Sequence, residues 1–495
     1  MNYDEMFYKY GLFSEYMPIC FNSDLLYKHI NKLKTSYNQN ISSECEELAI
    51  YKTETTRRII KVPNPEQYVC LCEHLKQHID EIKAKINNNI NTESNPFRKI
   101  GDKEFLDIPL YCEFNSIKSE FGNSLKRRMR YSMGYKYQLK LDLSRFYETI
   151  YTHIIEWCVV GREEAKKRKG NNWGNDLDKV LRKCQSDETK GIPTGPITSR
   201  IISEYILCFI DEEFRKKGLK FKHYVDDYKF YFKTENEAIL GLKQISNILR
   251  EFRLNINEEK TKIIQYPFDV ESGLNQVIYM SRKITEKESI IHIINECNRL
   301  YNSGIDSSYK YILKSVRKLK TGDVTQWIYL ESFFLSVLTI KPDLARFISS
   351  IVLKYKILVT KEFQDRAKEI LEANIEAKNE CEILWIFWLL ITLGCSDLSE
   401  NNILNLLSIE NDFIRIMIID YIKKYNITSV NIANKLKEIE ESLSEVSLNT
   451  SNWLLMYESV IKGWFVNKKI SDTLKRNNFY KTMLKSKVDF YNINY

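Results

Sequence analysis

The stretch FKHYVDDYKFYF, residues 221–232, decides how the chain is read. Two short β-prone aromatic runs flank Asp226 and Asp227, which reads as a hairpin with both carboxylates at its tip. Adjacent ionised carboxylates repel, so a chain that brings a third one close needs a cation or a proton to neutralise the cluster. Hard oxygen ligands favour Mg²⁺, with Mn²⁺ as a substitute. Asp is also a common turn residue, so the tip signifies chemistry only if the rest of the chain supplies partners.

The first partner lies upstream in LKLDLSRFYETI. Gln138 to Leu143 alternates polar and apolar residues like a strand, and Asp142 falls near its end, where SRFYETI starts a helix. A carboxylate at a strand end beside a hairpin tip suits two-metal chemistry, although an Asp at such a junction also serves as an N-cap. Five residues on, Tyr147 places a bulky ring where it would crowd a nucleotide sugar. Downstream, Gly191, Pro193, Gly195 and Pro196 force an irregular turn, and Thr198 or Ser199 is expected to cap a long helix from Arg200 to about Phe214. Beyond the hairpin, Glu235 to Phe252 reads as an amphipathic helix, Lys260 and Lys262 lead into a strand, and Val277 to Ile284 forms another.

Toward the N-terminus, residues 1–50 read as helical and aromatic, with a Ser23 or Asp24 cap before Leu25, Leu26, Ile30 and Leu33. A basic strand from Arg57 to Val62 follows, with Arg57, Arg58 and Lys61 as candidate phosphate contacts. Pro63 and Pro65 break it before a long amphipathic helix. Cys70, Cys72, His74 and His78 on that helix do not predict zinc, because four ligands on one helix cannot close a tetrahedron. Lys85 to Arg98 is polar and breaker-rich, hence a loop. Lys126, Arg127, Arg128 and Arg130 form a basic cluster that suits either a solvated helix face or phosphate contacts, and a second basic loop spans Arg162 to Gly170.

At 495 residues the chain is expected to hold two to four domains. Lys and Arg total 74 against 66 Asp and Glu, a net charge of +8 that permits nucleic-acid binding without requiring it. Eleven scattered cysteines argue against a disulfide framework and for a reduced, cytoplasmic setting. The early acidic and interrupted N-terminus lacks a signal-peptide layout. The longest uncharged apolar run, Ile383 to Cys395, falls short of the roughly 20 residues a membrane span needs and reads as a buried helix. No membrane association is expected. From about Asn295 onward successive apolar helices separated by short polar joints resemble an α-solenoid without a fixed period.

The order of these motifs resembles the palm of a reverse transcriptase, over roughly Thr56 to Ile284. That resemblance implies that Asp142 and Asp226 bind the catalytic metals with Asp227 beside them and that Tyr147 is a steric gate against the ribose 2′-OH. It implies that Pro193, Thr194 and Gly195 shape the nucleotide pocket, that Lys260 lies near the triphosphate, and that Tyr279, Met280 and Ser281 form a primer-grip hairpin. YETIYTHIIEW, CQSDETKGIPTGPITSRIISE and the helical C-terminal third together resemble the bacterial abortive-infection reverse transcriptases of the AbiK type. This closer resemblance implies an α+β fold: fingers and palm over 51–294, a lead-in over 1–50, and an all-α HEAT-like repeat domain over 295–495.

It further implies phage defence in the bacterial cytoplasm, homo-oligomers, dNTPs as substrates, and untemplated synthesis of single-stranded DNA primed from a protein tyrosine. Tyr3, Tyr8, Tyr10 and Tyr16 are candidate primers among 31 tyrosines, and the sequence does not choose among them or name the phage trigger. Thr194 stands where ordinary members carry the Gln of a PQG turn, which is compatible with synthesis that reads no template. Two alternatives stand beside this: a conventional RNA-templated enzyme, and a silent nucleic-acid-binding scaffold. Three retained carboxylates argue against the scaffold, since clustering them carries a desolvation cost.

Overall fold

The computed structural model of the chain describes residues 2–53, 55–100, 103–106, 129–167, 172–268, 287–305, 308–316 and 324–493. After α1 (Asp24–Leu33), the strands β1 (Cys45–Tyr51) and β2 (Arg57–Pro63) pair antiparallel, Cys45 opposite Pro63 and Tyr51 opposite Arg57. The expected helical character up to residue 50 fails here. Leu48 and Ile50 alternate with less buried neighbours, a period of two that a strand satisfies and a helix does not. The domain boundary drawn at residue 50 consequently falls inside β1.

Asn64 then caps α2 (Pro65–Gln77), with Pro65 at the first helical position where its missing N–H is harmless. The single long helix expected here is two, because His78 leaves helical geometry before α3 (Ile79–Asn87). Cys70 and Cys72 are buried thiols, while His78 stacks on Trp173 with ring centroids 4.7 Å apart. A two-stranded ribbon, β3 (Phe97–Ile100) with β4 (Lys103–Leu106), follows.

The central sheet is built from β5 (Tyr137–Asp142), β6 (Phe221–Tyr224), β7 (Asp227–Phe232) and β8 (Lys262–Gln265), in the spatial order β6-β7-β5-β8, antiparallel throughout. Between β5 and β6 run α4 (Phe146–Thr149), α5 (Ile154–Val160), α6 (Arg162–Lys166), α7 (Trp173–Lys183) and α8 (Ile197–Lys216). The expected cap of α8 by Thr198 or Ser199 is not made. Pro196 occupies the cap position, and both hydroxyls lie buried in the first turn without a partner among the described residues. Helix α9 (Glu235–Glu251), closed by a Thr234–Glu237 capping box, packs against β5 and β7. Phe214 of α8 seals the hairpin's inner face, its ring 5.4 Å from Phe221 and 5.3 Å from Phe230 in edge-on contacts.

The rest is helical: α10 (Lys287–Asn302), α11 (Ser308–Val316), α12 (Val324–Ile340), α13 (Ala345–Lys354), α14 (Lys361–Glu376) and α15 (Glu380–Leu393). Then come α16 (Glu400–Ser408), α17 (Asp412–Lys424), α18 (Val430–Ser442), α19 (Trp453–Ile461), α20 (Lys468–Arg476) and α21 (Asn478–Lys485). From α10 to α19 most helices touch the helix two places on, an alternating stack in which α15, apolar all round, is buried. Among the described residues no helix is long and apolar enough to cross a membrane.

This stack closes on the N-terminal hairpin. Ala49 N–H donates to Glu380 Oε2 at 2.7 Å, Asn411 Nδ2 to the Glu47 carbonyl at 2.9 Å, and Trp385 Nε1 to the Tyr16 carbonyl at 2.8 Å. One apolar core runs from Met6 to Tyr491.

Candidate active site

The alternation in residues 221–232 sends Phe221, His223, Tyr228 and Phe230 inward and leaves Tyr224 47% exposed at the tip. Register places Asp227 opposite Tyr224 on one side and opposite Asp142 on the other. The carboxylates of two strands therefore meet at one end of the sheet. Leu143 N–H donates to the Asp226 carbonyl at 3.2 Å, tying the end of β5 to the hairpin tip.

The segment NEEKT, residues 257–261, folds over the same strand end. Asn257 N–H donates to the Asp142 carbonyl at 2.8 Å, and Asn257 Nδ2 donates to Asp142 Oδ2 at 3.0 Å. Lys260 Nζ stands 3.2 Å from the same oxygen. Lys260 thus sits at the carboxylates, while Asn257 is a contact the sequence did not mark.

Burial first, and then the charges of Asp227 and Asp142, push the Asp226 carboxyl up to about 6. Burial and the facing Asp142 raise Asp227 as well. Asp226 is further influenced by Arg58 and stands near Tyr147. Asp142 and Asp227 instead line a cleft of about 450 Å³ with Lys140, Lys222, Lys229 and Lys260. Among the described residues no three acidic, imidazole or thiol groups already form an ion-coordinating array. The donor chemistry nonetheless fits a hard divalent ion, since crowded carboxylate oxygens that resist sharing one region ionised are what such an ion relieves.

Tyr147 is half-buried on α4, and its hydroxyl accepts a 3.4 Å hydrogen bond from Ser203 Oγ. The GIPTGP turn is laced between α4 and β2: Ile192 N–H donates to the Tyr147 carbonyl and Lys61 N–H to the Thr194 carbonyl, both at 2.8 Å. Gly191 (φ +84°) and Gly195 (φ +127°) take left-handed backbone here. A Cβ on either would meet a neighbour at 3.0 Å, Glu148 O and Ile60 Cγ2 respectively, so only glycine fits both constraints.

The three candidate phosphate contacts of β2 separate. Arg58 is exposed and its charge reaches Asp226. Lys61 pairs with Glu47 at 2.9 Å, and Arg57 is not at the site at all, being bound by Glu382 and Asn379 of the helical stack. Strand alternation sends Arg57 and Arg58 to opposite faces. Tyr279, Met280 and Ser281 lie outside the described residues, as do Lys126, Arg127 and Arg128.

A row of cations also went unmarked. Lys222 pairs with Lys229, Lys229 with Lys140, and Lys140 with Lys262, a line across all four strands. Lys140 shares a face with Asp142 and Lys229 with Asp227, so the row runs one pleat behind the carboxylates. Lys222 also lies 4.8 Å from the Tyr131 ring centroid.

Residues 97–284 match the family described as reverse transcriptase (RNA-dependent DNA polymerase). No curated protein matches the chain. Among solved structures it is similar to the telomerase from Candida albicans in complex with a TWJ fragment of telomeric RNA, at 11% identity and a TM-score of 0.30, covering 82% of this chain and 67% of that one. It is also similar to the apo telomerase from Candida tropicalis, at 12% identity and a TM-score of 0.33, covering 87% of this chain and 76% of that one. The family match makes the chain an enzyme with a reverse transcriptase domain, a nucleotidyltransferase.

Proposed function

We propose that this polymerase is an abortive-infection enzyme of anti-phage defence that adds dNTPs without a template, starting from one of its own tyrosines. The observation that carries its chemistry is the meeting of Asp142, Asp226 and Asp227 at one strand end, with Lys260 3.2 Å from Asp142 Oδ2. The defence reading is supported by the AbiK-like segments and by a helical stack, which we take to be HEAT-like, in the place of an ordinary thumb. Thr194 in the turn supports synthesis without a template.

The three carboxylates would hold Mg²⁺, which when bound supplies charge for attack at phosphorus and for the departing pyrophosphate. Lys260 presents its ammonium beside the same oxygens, where a triphosphate would be held. Tyr147 would limit the space at the sugar. Arg58 brings a second positive charge to Asp226. The product would be single-stranded DNA attached to the protein, and the enzyme would work as a homo-oligomer in the cytoplasm.

The test is to incubate purified protein with labelled dNTPs and Mg²⁺, without template or primer, and run a denaturing gel with and without protease. Label that migrates with the protein and is released by protease is expected. Label that appears only once a primed RNA is supplied would replace this reading with the templated one. Asp226→Ala or Asp227→Ala should abolish incorporation, a loss on the order of 10³-fold or more, with the fold retained. Full activity in a folded double variant would remove the carboxylates from the chemistry.

A further inference from the structure

The turn that presents the carboxylates is strained. Val225 is the first of two residues joining β6 to β7, and its φ is +53°, a value Asp226 does not share. A positive φ at the first central position alone belongs to the II′ kind of hairpin, where glycine is the usual occupant. A β-branched side chain enters this region only at a cost, and surrounding structure must hold it there.

Both backbone polar groups of Val225 are hooked by side chains. Its N–H donates to Ser94 Oγ at 2.8 Å, and its carbonyl lies 2.9 Å from His223 Nδ1. Behind each hook stands a fully buried carboxylate of α8. Ser94 Oγ donates to Glu204, and Asp211 Oδ2 lies 2.9 Å from His223 Nε2. Glu204 and Asp211 are seven residues apart, two helical turns, and so share one face of α8.

A histidine with a carbonyl on one ring nitrogen and a carboxylate on the other must donate from both, which makes it an imidazolium. Burial works against that charge, but Asp211 outweighs it and His223 is pushed up to about 9. Asp211 is itself fixed by Asn89 Nδ2 at 2.6 Å and by the Tyr228 hydroxyl at 3.1 Å. The loop after α3, which supplies Ser94, and α8 therefore converge on a single residue beside the carboxylates, holding the peptide on each side of it.

We propose that His223, charged by Asp211, and Ser94, backed by Glu204, form a clamp that holds Val225 in its left-handed conformation and so fixes where Asp226 and Asp227 stand. They are positioning residues for nucleotidyl transfer. A glycine at 225 would make the turn without strain but would also leave it free to relax. The valine makes the turn depend on the clamp, which links carboxylate placement to the packing of α8. This inference rests on Asp226 and Asp227 acting in the reaction.

The test compares wild type, Ser94→Ala, Val225→Gly, the double variant and Asp226→Asn in steady-state dNTP incorporation, with Tm as a check on folding. His223→Gln leaves Asp211 buried without its cation and risks unfolding, so Ser94→Ala carries the test. Ser94→Ala should lower kcat about tenfold, as expected for loss of one buried hydrogen bond, while KM for dNTP moves less than about twofold. Val225→Gly should cost about threefold alone and should suppress the Ser94→Ala defect, bringing the double variant to the level of the glycine single variant.

Wild-type kcat in Ser94→Ala, or a double variant no better than Ser94→Ala, overturns the clamp. Such a result alongside an inactive Asp226→Asn would leave the carboxylate assignment standing. An active Asp226→Asn would defeat that assignment, and the clamp's role with it.

Discussion

On the proposed reading, the Tyr147 side chain is what would separate the substrates this site accepts. Tyr147 stands beside Asp226, its ring set on α4 and its carbonyl bound by Ile192 N–H at 2.8 Å, so neither end of the residue is loose. If the ring limits space at the sugar, its bulk matters and its hydroxyl does not. Tyr147→Ala should let ribonucleotides in, raising the rNTP to dNTP ratio of kcat/KM by roughly tenfold to a hundredfold, whereas Tyr147→Phe should keep wild-type selectivity. A phenylalanine variant as permissive as the alanine variant would show that the hydrogen bond to Ser203, not the ring, sets the preference.

At this scale Asp142, Asp226 and Asp227 were legible because each sits where a period-two pattern ends, and such ends are visible locally. Asp211 and His223 were not. A lone histidine on a strand reads as core, and only the folded chain sets it against an acid from α8. Arg57 misled for the same reason, since its partners lie more than 300 residues away.

The central sheet carries a prediction at the scale of its strands. Like charges placed directly opposite in a sheet destabilise it, yet β6, β7, β5 and β8 align Lys222, Lys229, Lys140 and Lys262 in register. An anionic strand laid across them would offset that repulsion, and the row's position behind the carboxylates suits the phosphates of a growing chain. Lys140→Gln with Lys229→Gln should weaken binding of a single-stranded oligonucleotide and reduce the slope of log Kd against log salt by roughly 1 to 2. An unchanged slope would mean that the strand runs elsewhere.

The four strands and α9 were readable from β-prone runs, alternation and helical apolar spacing. The lysine row was not, because register between strands depends on turns and on strand order, which periodicity within one strand does not encode. The long helix expected after Pro65 failed for a comparable reason: its apolar spacing continues across His78, but the backbone turns there so that the ring can stack on Trp173.

Across the whole molecule, buried acids join the helical stack to β1 and to the C-terminal segment. Glu458 accepts from Phe490 N–H at 2.7 Å, and burial pushes it up to about 8. Asp412, which accepts from Leu455 N–H at 2.9 Å, is pushed up to about 7 by burial, and Glu46 of β1 beside it is raised as well. An acid whose folded value exceeds its unfolded one takes up a proton on folding. Its contribution is therefore present at low pH and is lost as pH rises through the folded value.

His223 has the same sign, since a histidine raised toward 9 contributes stability below its unfolded value and loses it as pH climbs past the folded one. Stability should therefore fall between pH 6 and pH 8, by about 4 kcal/mol for Asp412 and Glu458 together. Denaturant midpoints at the two pH values measure this. Glu458→Gln, which keeps the shape without the titration, should flatten the profile and leave the protein more stable than wild type at pH 8. If wild-type stability instead rose from pH 6 to pH 8, these carboxyls would have to be ionised in the fold, with Arg415 beside Asp412 and Lys462 beside Glu458 holding the charges.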